Sequence, residues 1–104
     1  MGLTGNGMGL GGTRRVTADT DIGDGKPIRV LSVHWLSSGT AGTLVLRNGT
    51  TASDEIRYQK VGTINDGLTE TFGESGIFFP AGLFYDHDAN TTFAAINFVR
   101  TKSV

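Results

Sequence analysis

The chain is patterned mainly by period-two alternation of apolar and polar residues, interrupted by clusters of Gly, Ser, Thr and Asn. Thr43–Asn48 alternates cleanly, with Leu44 and Leu46 on one side and Thr43, Val45 and Arg47 on the other. The favoured hairpin pair Asn48-Gly49 follows. Glu55–Val61 sets Ile56 and Tyr58 inward against Glu55, Arg57 and Gln59. Arg14–Thr20 is polar on both sides, as suits a short or edge strand. Gly76–Pro80 and Ala81–Tyr85 are short apolar runs, the first ended or placed at an edge by Pro80. Residues 62–75 are polar and turn-rich, with Leu68 and Phe72 as anchors.

Two longer runs are apolar on both faces. In Pro27–Ser38, which carries the strongest strand signal, Ile28, Val30 and Leu36 fall on one side and Leu31, Val33 and Trp35 on the other. In Thr91–Arg100, Phe93, Ala95 and Val99 oppose Ala94, Ile96 and Phe98. Such strands lie centrally in a sandwich, or have one face covered by another subunit. No segment sustains a 3.6-residue period. About seven strands at spacings near ten residues predict an all-β fold, a compact β-sandwich or jelly-roll-like barrel.

The predicted domain spans 14–104, behind a flexible Gly-rich arm at 1–13. Six glycines lie between Met1 and Gly12, with Leu3, Met8 and Leu10 among them. Three apolar residues so dispersed cannot form a core, and the glycines raise the entropy cost of ordering. The arm is expected to anchor the protein by plugging those three side chains into apolar pockets of a partner.

Composition narrows the functional classes. The 104 residues suit one domain with one modest core. A net charge of −1 without single-sign blocks argues against nucleic acid or an anionic membrane as partner. The absence of cysteine excludes disulfides and thiolate chemistry. No apolar run approaches the ~18 residues of a membrane span. The first residues lack a signal-peptide pattern, so synthesis in a cytoplasm is expected.

Candidate chemistry is sparse. Gly7-x-Gly9-x-x-Gly12 lacks the strand and helix that a dinucleotide site requires. The Met-Gly start has Asn6 where myristoylation wants Ser or Thr. Asp19-x-Asp21-x-x-Asp24-Gly25 resembles a calcium loop, but Val30 stands where the bidentate Glu belongs, so it reads as an acidic turn. Asp86-His87-Asp88 offers too few ligands for a metal and reads as a loop tip. His34 reads as a structural histidine of core or interface. Ser32 and Ser37 lack a nucleophile elbow. Asn48-Gly49-Thr50 and Asn90-Thr91-Thr92 match glycosylation sequons but read as a turn and a loop-to-strand junction. No catalytic residue, metal ligand or cofactor is expected.

The adjacent pairs Phe78-Phe79 and Phe84-Tyr85 put one ring of each on opposite faces. A small two-layer fold cannot bury both faces of every strand, which points to a subunit interface. The interface and anchoring candidates are Trp35, Phe78, Phe84, Tyr85 and Phe98, together with the arm's Leu3, Met8 and Leu10.

The order of segments carries a resemblance over about residues 26–100. An Arg-Val-Leu-Ser-Val strand is followed by Ser-Gly-Thr-Ala-Gly and then Thr-Leu-Val-Leu-Arg-Asn-Gly. After a variable middle come Gly-Ile-Phe-Phe-Pro-Ala-Gly-Leu-Phe-Tyr and a closing Thr-Phe-Ala-Ala-Ile-Asn-Phe-Val. This pattern resembles a group of small tailed-phage virion proteins. The resemblance implies a β-sandwich that coats or joins parts of a virion, such as a capsid decoration (cement) protein, and it transfers no catalytic residues. The implied partner is the major capsid protein or another virion protein. The two-faced strands add an expected homo-oligomer, trimer first and dimer second. The alternative class is a carbohydrate-binding or adaptor module of a head fibre or tail. Its glycan platform would be Tyr85 and Phe84 beside Asp86 and Asp88.

Overall fold

The structure, a computed structural model, describes residues 11–101. Leu3, Met8 and Leu10 of the expected arm lie outside that range. The described residues form nine strands: β1 (Gly11–Val16), β2 (Thr20–Asp21), β3 (Ile28–Ser37), β4 (Thr43–Asn48), β5 (Glu55–Val61), β6 (Gly67–Thr71), β7 (Ile77–Phe79), β8 (Leu83–Asp86) and β9 (Thr91–Arg100). The first strand opens at Gly11, three residues before the predicted start.

All pairings are antiparallel and build two sheets. The first runs β1-β9-β3-β6, with β7 also paired to β3; the second runs β2-β8-β4-β5. β6 lies along one half of β3 and β7 along the other. They are one strand interrupted by an excursion at 72–76. Counted so, the pairing is nested: first strand with last, second with seventh, third with sixth, fourth with fifth. That order is the jelly roll.

The excursion sits opposite a bulge. Asn97 pairs with Ser32 but Phe98 pairs with Val30, leaving Leu31 as an extra residue in β3. The bulge resets the alternation. Ile28 and Val30 before it, and Val33 and Trp35 after it, all enter the same core. The expectation that these pairs face opposite ways is thereby corrected. Gly76 closes the excursion at φ 67, a left-handed conformation, and a Cβ there would strike the Val30 carbonyl.

A second bulge overturns another expectation. Leu46 pairs with Tyr58 but Arg47 with Ile56, so Arg57 is the extra residue and Ile56 joins Arg47 on the outer face. Ile56 is 43% exposed, not inward. A third bulge, at Thr92, opens β9.

The core between the sheets centres on Trp35, Tyr85, Phe79, Leu44, Leu46 and Ile96, all fully buried. The indole N–H of Trp35 donates to the Gly42 carbonyl at 3.3 Å. At the flank where β5 approaches β6, Tyr58 Oη donates to Glu70 at 3.1 Å and Lys60 Nζ to the other carboxylate oxygen at 2.7 Å. Phe72 packs edge-on against Tyr58 there, with centroids 4.8 Å apart. These bonds allow an edge-strand glutamate to point inward.

Candidate functional site

The register of the first sheet fixes what its outer face presents. Arg15, Ala95, His34 and Thr69 stand side by side across four strands. The Arg15 guanidinium lies over the Phe93 ring, 4.6 Å from its centroid. Arg29 and Phe78 are cross-strand partners at the other end of β3, and their stacking distance is also 4.6 Å. Arg29 Nη1 reaches the Ser75 carbonyl at 3.3 Å. His34 is exposed, not in the core; its Nδ1 meets Thr69 Oγ1 at 2.7 Å. Its ring lies on Gly67, where a Cβ would come within 2.9 Å of Cε1. Leu36, Phe93, Ala95, Val99 and Phe78 are half-buried around these groups.

The charge on this face has one sign. β3 and β9 contain no Asp or Glu, and the outward residues of β1, β6 and β7 are also free of carboxylates. Among the described residues neither Arg15 nor Arg29 forms an ion pair. A guanidinium stacked on a ring is held flat, and its N–H fork keeps the geometry that receives a carboxylate. Stacking contributes ~0.5–1 kcal/mol at an exposed site. Half-buried aromatic and aliphatic groups with stacked arginines resemble the centre of a protein interface more than ordinary surface.

The predicted interface residues divide sharply. Phe78 is on this face. Trp35 and Tyr85 have no exposed surface and Phe98 only 8%, so these three are core residues and the interface expectation for them is corrected. Each sits at an inward position of its strand. The opposed-ring reading of the aromatic pairs does hold: Phe79 and Tyr85 enter the core cluster, whereas Phe78 and Phe84 do not. Phe84 faces outward from the second sheet, between Asp21 and Arg47, yet it is only 9% exposed. The expected glycan platform is therefore missing, since Tyr85 is internal and Phe84 is covered.

The acidic residues near His87 hold loops in place. Tyr85 Oη and His87 Nδ1 are 2.8 Å apart. Burial, and then the negative charges of Asp88, Asp19 and Asp86, push the Tyr85 hydroxyl well above its ordinary range. Asp86 pairs with Arg47 at 2.9 Å. Asp88 accepts the Thr43 N–H at 2.6 Å, and Asp19 accepts the His87 N–H at 2.7 Å. Asp21 caps the Asp24 N–H at 2.9 Å, so the calcium-like stretch is a turn. His34 lies on β3 of the first sheet, whereas His87 lies in the loop just past β8 of the second. Among the described residues no three His, Asp or Glu side chains are grouped to hold a metal ion.

Arg15 and Arg29 were not legible as site residues by motif. Their one signal in the sequence is the lack of any acid before Asp19, from Lys26 to Ser53 and from Ala89 to Thr101. No family model matches the chain, and no curated protein matches it.

Proposed function

We propose that this chain is a structural protein of a bacteriophage virion, a decoration or cement protein that bridges neighbouring subunits of the capsid. The outer face of the first sheet carries the reading. It is half apolar, built on the two longest strands, and armed with arginines stacked on aromatic rings. Burying such a face across a joint makes opening the joint cost that burial, and repetition over many joints multiplies the effect. The jelly-roll order adds support by analogy, because viral shell domains use it, as do lectin domains. The partner is the major capsid protein or another virion protein. The role involves no catalytic step and no cofactor, and the protein, made in the host cytoplasm, ends in the particle.

Quantitative protein composition of purified particles, with imaging of the protein's position, tests the proposal. Many copies spread over the shell are expected. A handful of copies at the tail, or none in the particle, overturns it.

A further inference from the structure

The second sheet ends in an open edge at β5. Six of the seven residues of β5 are exposed, and among the described residues no strand pairs with it on the side away from β4. The ladder with β4 fixes which backbone groups that side carries. The Gly62 N–H donates to the Gly42 carbonyl at 2.8 Å, and in the same register Val61 aligns with Thr43 and Gln59 with Val45. Antiparallel pairs alternate between hydrogen-bonded and non-hydrogen-bonded. The N–H and C=O of Tyr58 and Lys60 therefore turn to β4, whereas those of Gln59 and Val61 turn to the open side. The bulge at Arg57 disturbs only the first part of the strand.

The exposed large hydrophobic residues of the described chain gather at this edge. Ile56 and Val61 lie on the outer side of β5 and Ile64 in the turn after it, exposed by 43%, 59% and 55%. At seven residues β5 is also the longest edge strand described. At the β7 edge, by contrast, the Phe78 carbonyl is already taken by Arg57 Nη1 at 3.0 Å. A long edge with unpaired backbone groups and apolar neighbours is a template for another strand.

We infer that β5 pairs antiparallel with β5 of a second copy of this chain, joining two four-stranded sheets into one across a two-fold axis. The axis falls at Gln59, which faces its own copy and exchanges both main-chain bonds with it. Lys60 then lies opposite the partner's Tyr58. An axis one residue further on would set Lys60 against Lys60 at the closer, non-hydrogen-bonded spacing, which like charges disfavour. The joint covers the flank on which Ile56 and Val61 are exposed. It closes on itself as a dimer and does not build a trimer. Paired residues of an antiparallel ladder point to the same side, so both first sheets lie on one side of the joint and their outer faces stay free. A contact ~23 Å long, from ~3.3 Å per residue along β5, is small for a stable dimer, so the association is concentration-dependent.

Sedimentation equilibrium of the purified chain, from micromolar to millimolar protein, reads this contact without any virion. The inference can therefore fail while the virion reading stands, and the reverse. A monomer–dimer equilibrium is expected. Gln59→Pro removes an N–H that the folded monomer leaves unpaired and should raise the dissociation constant roughly tenfold or more. Gln59→Lys and Gln59→Glu each set like charges across the axis and should each weaken self-association. An equimolar mixture of those two variants sets opposite charges across the axis and should recover the association as a heterodimer. Melting curves confirm that each variant is folded; if Gln59→Pro unfolds the chain, Gln59→Lys and Gln59→Glu carry the test, because position 59 is exposed. The inference is overturned if the wild type remains monomeric throughout, if its association is indifferent to the substitutions at Gln59, or if the mixture associates no better than either variant alone.

Discussion

β3 and β9 are neighbours of equal length, and both read in the sequence as apolar on two faces. The structure gives that pattern two different meanings. In β3 the second face is produced by the bulge: Leu31 resets the alternation, and Ile28, Val30, Val33 and Trp35 share one core. In β9 it is real. Ala94, Ile96 and Phe98 point inward, while Phe93, Ala95 and Val99 remain half-exposed outside. A two-faced apolar strand can thus mark either a parity switch or a second surface, and cross-strand register decides which.

The largest expected effect probes the inward side of β3. Trp35→Ala should destabilise the fold by ~3–5 kcal/mol in denaturant titration, the range for deleting a large buried aromatic. A cost below ~1.5 kcal/mol would mean that the bulge does not turn this half of β3 into the core. The comparison itself is tested on β9, where adjacent faces can be struck separately. Ile96→Ala should cost ~2–5 kcal/mol. Phe93→Ala should cost about 1 kcal/mol, mostly its stacking under Arg15, and should act on partner binding instead. Equal costs at the two positions would erase the distinction between faces.

Gly76 tests the bulge from the opposite strand. Gly76→Ala forces a side chain into left-handed backbone and against the Val30 carbonyl, for ~1–3 kcal/mol. Gly73→Ala, also at positive φ but with nothing near the added Cβ, should cost less.

The smallest effect serves as a baseline remote from both strands. Hydrogen bonds from Lys60 and then Tyr58 hold the Glu70 carboxyl below its ordinary 4.5. A carboxylate depressed in the folded state contributes stability above its unfolded value and loses it as pH falls through the folded value. Denaturant midpoints of wild type and Lys60→Met should therefore differ at neutral pH and converge as pH drops below 4.5. A difference constant with pH would show that Lys60 acts through its stem alone. Burial, and then Glu70, push Tyr58 up to about 12, so its hydroxyl stays protonated throughout that window.

What the sequence made legible follows from how locally each feature is determined. β4 was readable because Leu44 and Leu46 alternate without interruption. The all-β class was readable from the turn spacing. β6 was missed because an edge strand of Gly-Leu-Thr-Glu-Thr carries one apolar residue, and its inward Glu70 is made tolerable only by groups on β5. The bulges at Leu31 and Arg57 were invisible because they are properties of pairing, absent from either strand alone. Phe78 was found through its adjacency to Phe79. Arg15 and Arg29 were passed over because their significance is collective, depending on four strands whose outward positions jointly lack an acid.

The nested pairing has a consequence for how the molecule comes into being. Gly11 aligns with Val99 and Val16 with Ala94, so the first described strand waits for the last before it gains a neighbour. On a ribosome, β1 and β2 emerge long before β9 and β8 exist to pair with them. Among the described strands only β4 and β5 meet as a hairpin of adjacent segments, and they are the natural place for ordering to begin. A topology so dominated by remote contacts folds on the millisecond-to-second scale, not in microseconds. During synthesis the growing chain therefore holds unpaired strand edges that no part of itself can yet cover, and its survival then depends on solubility more than on stability.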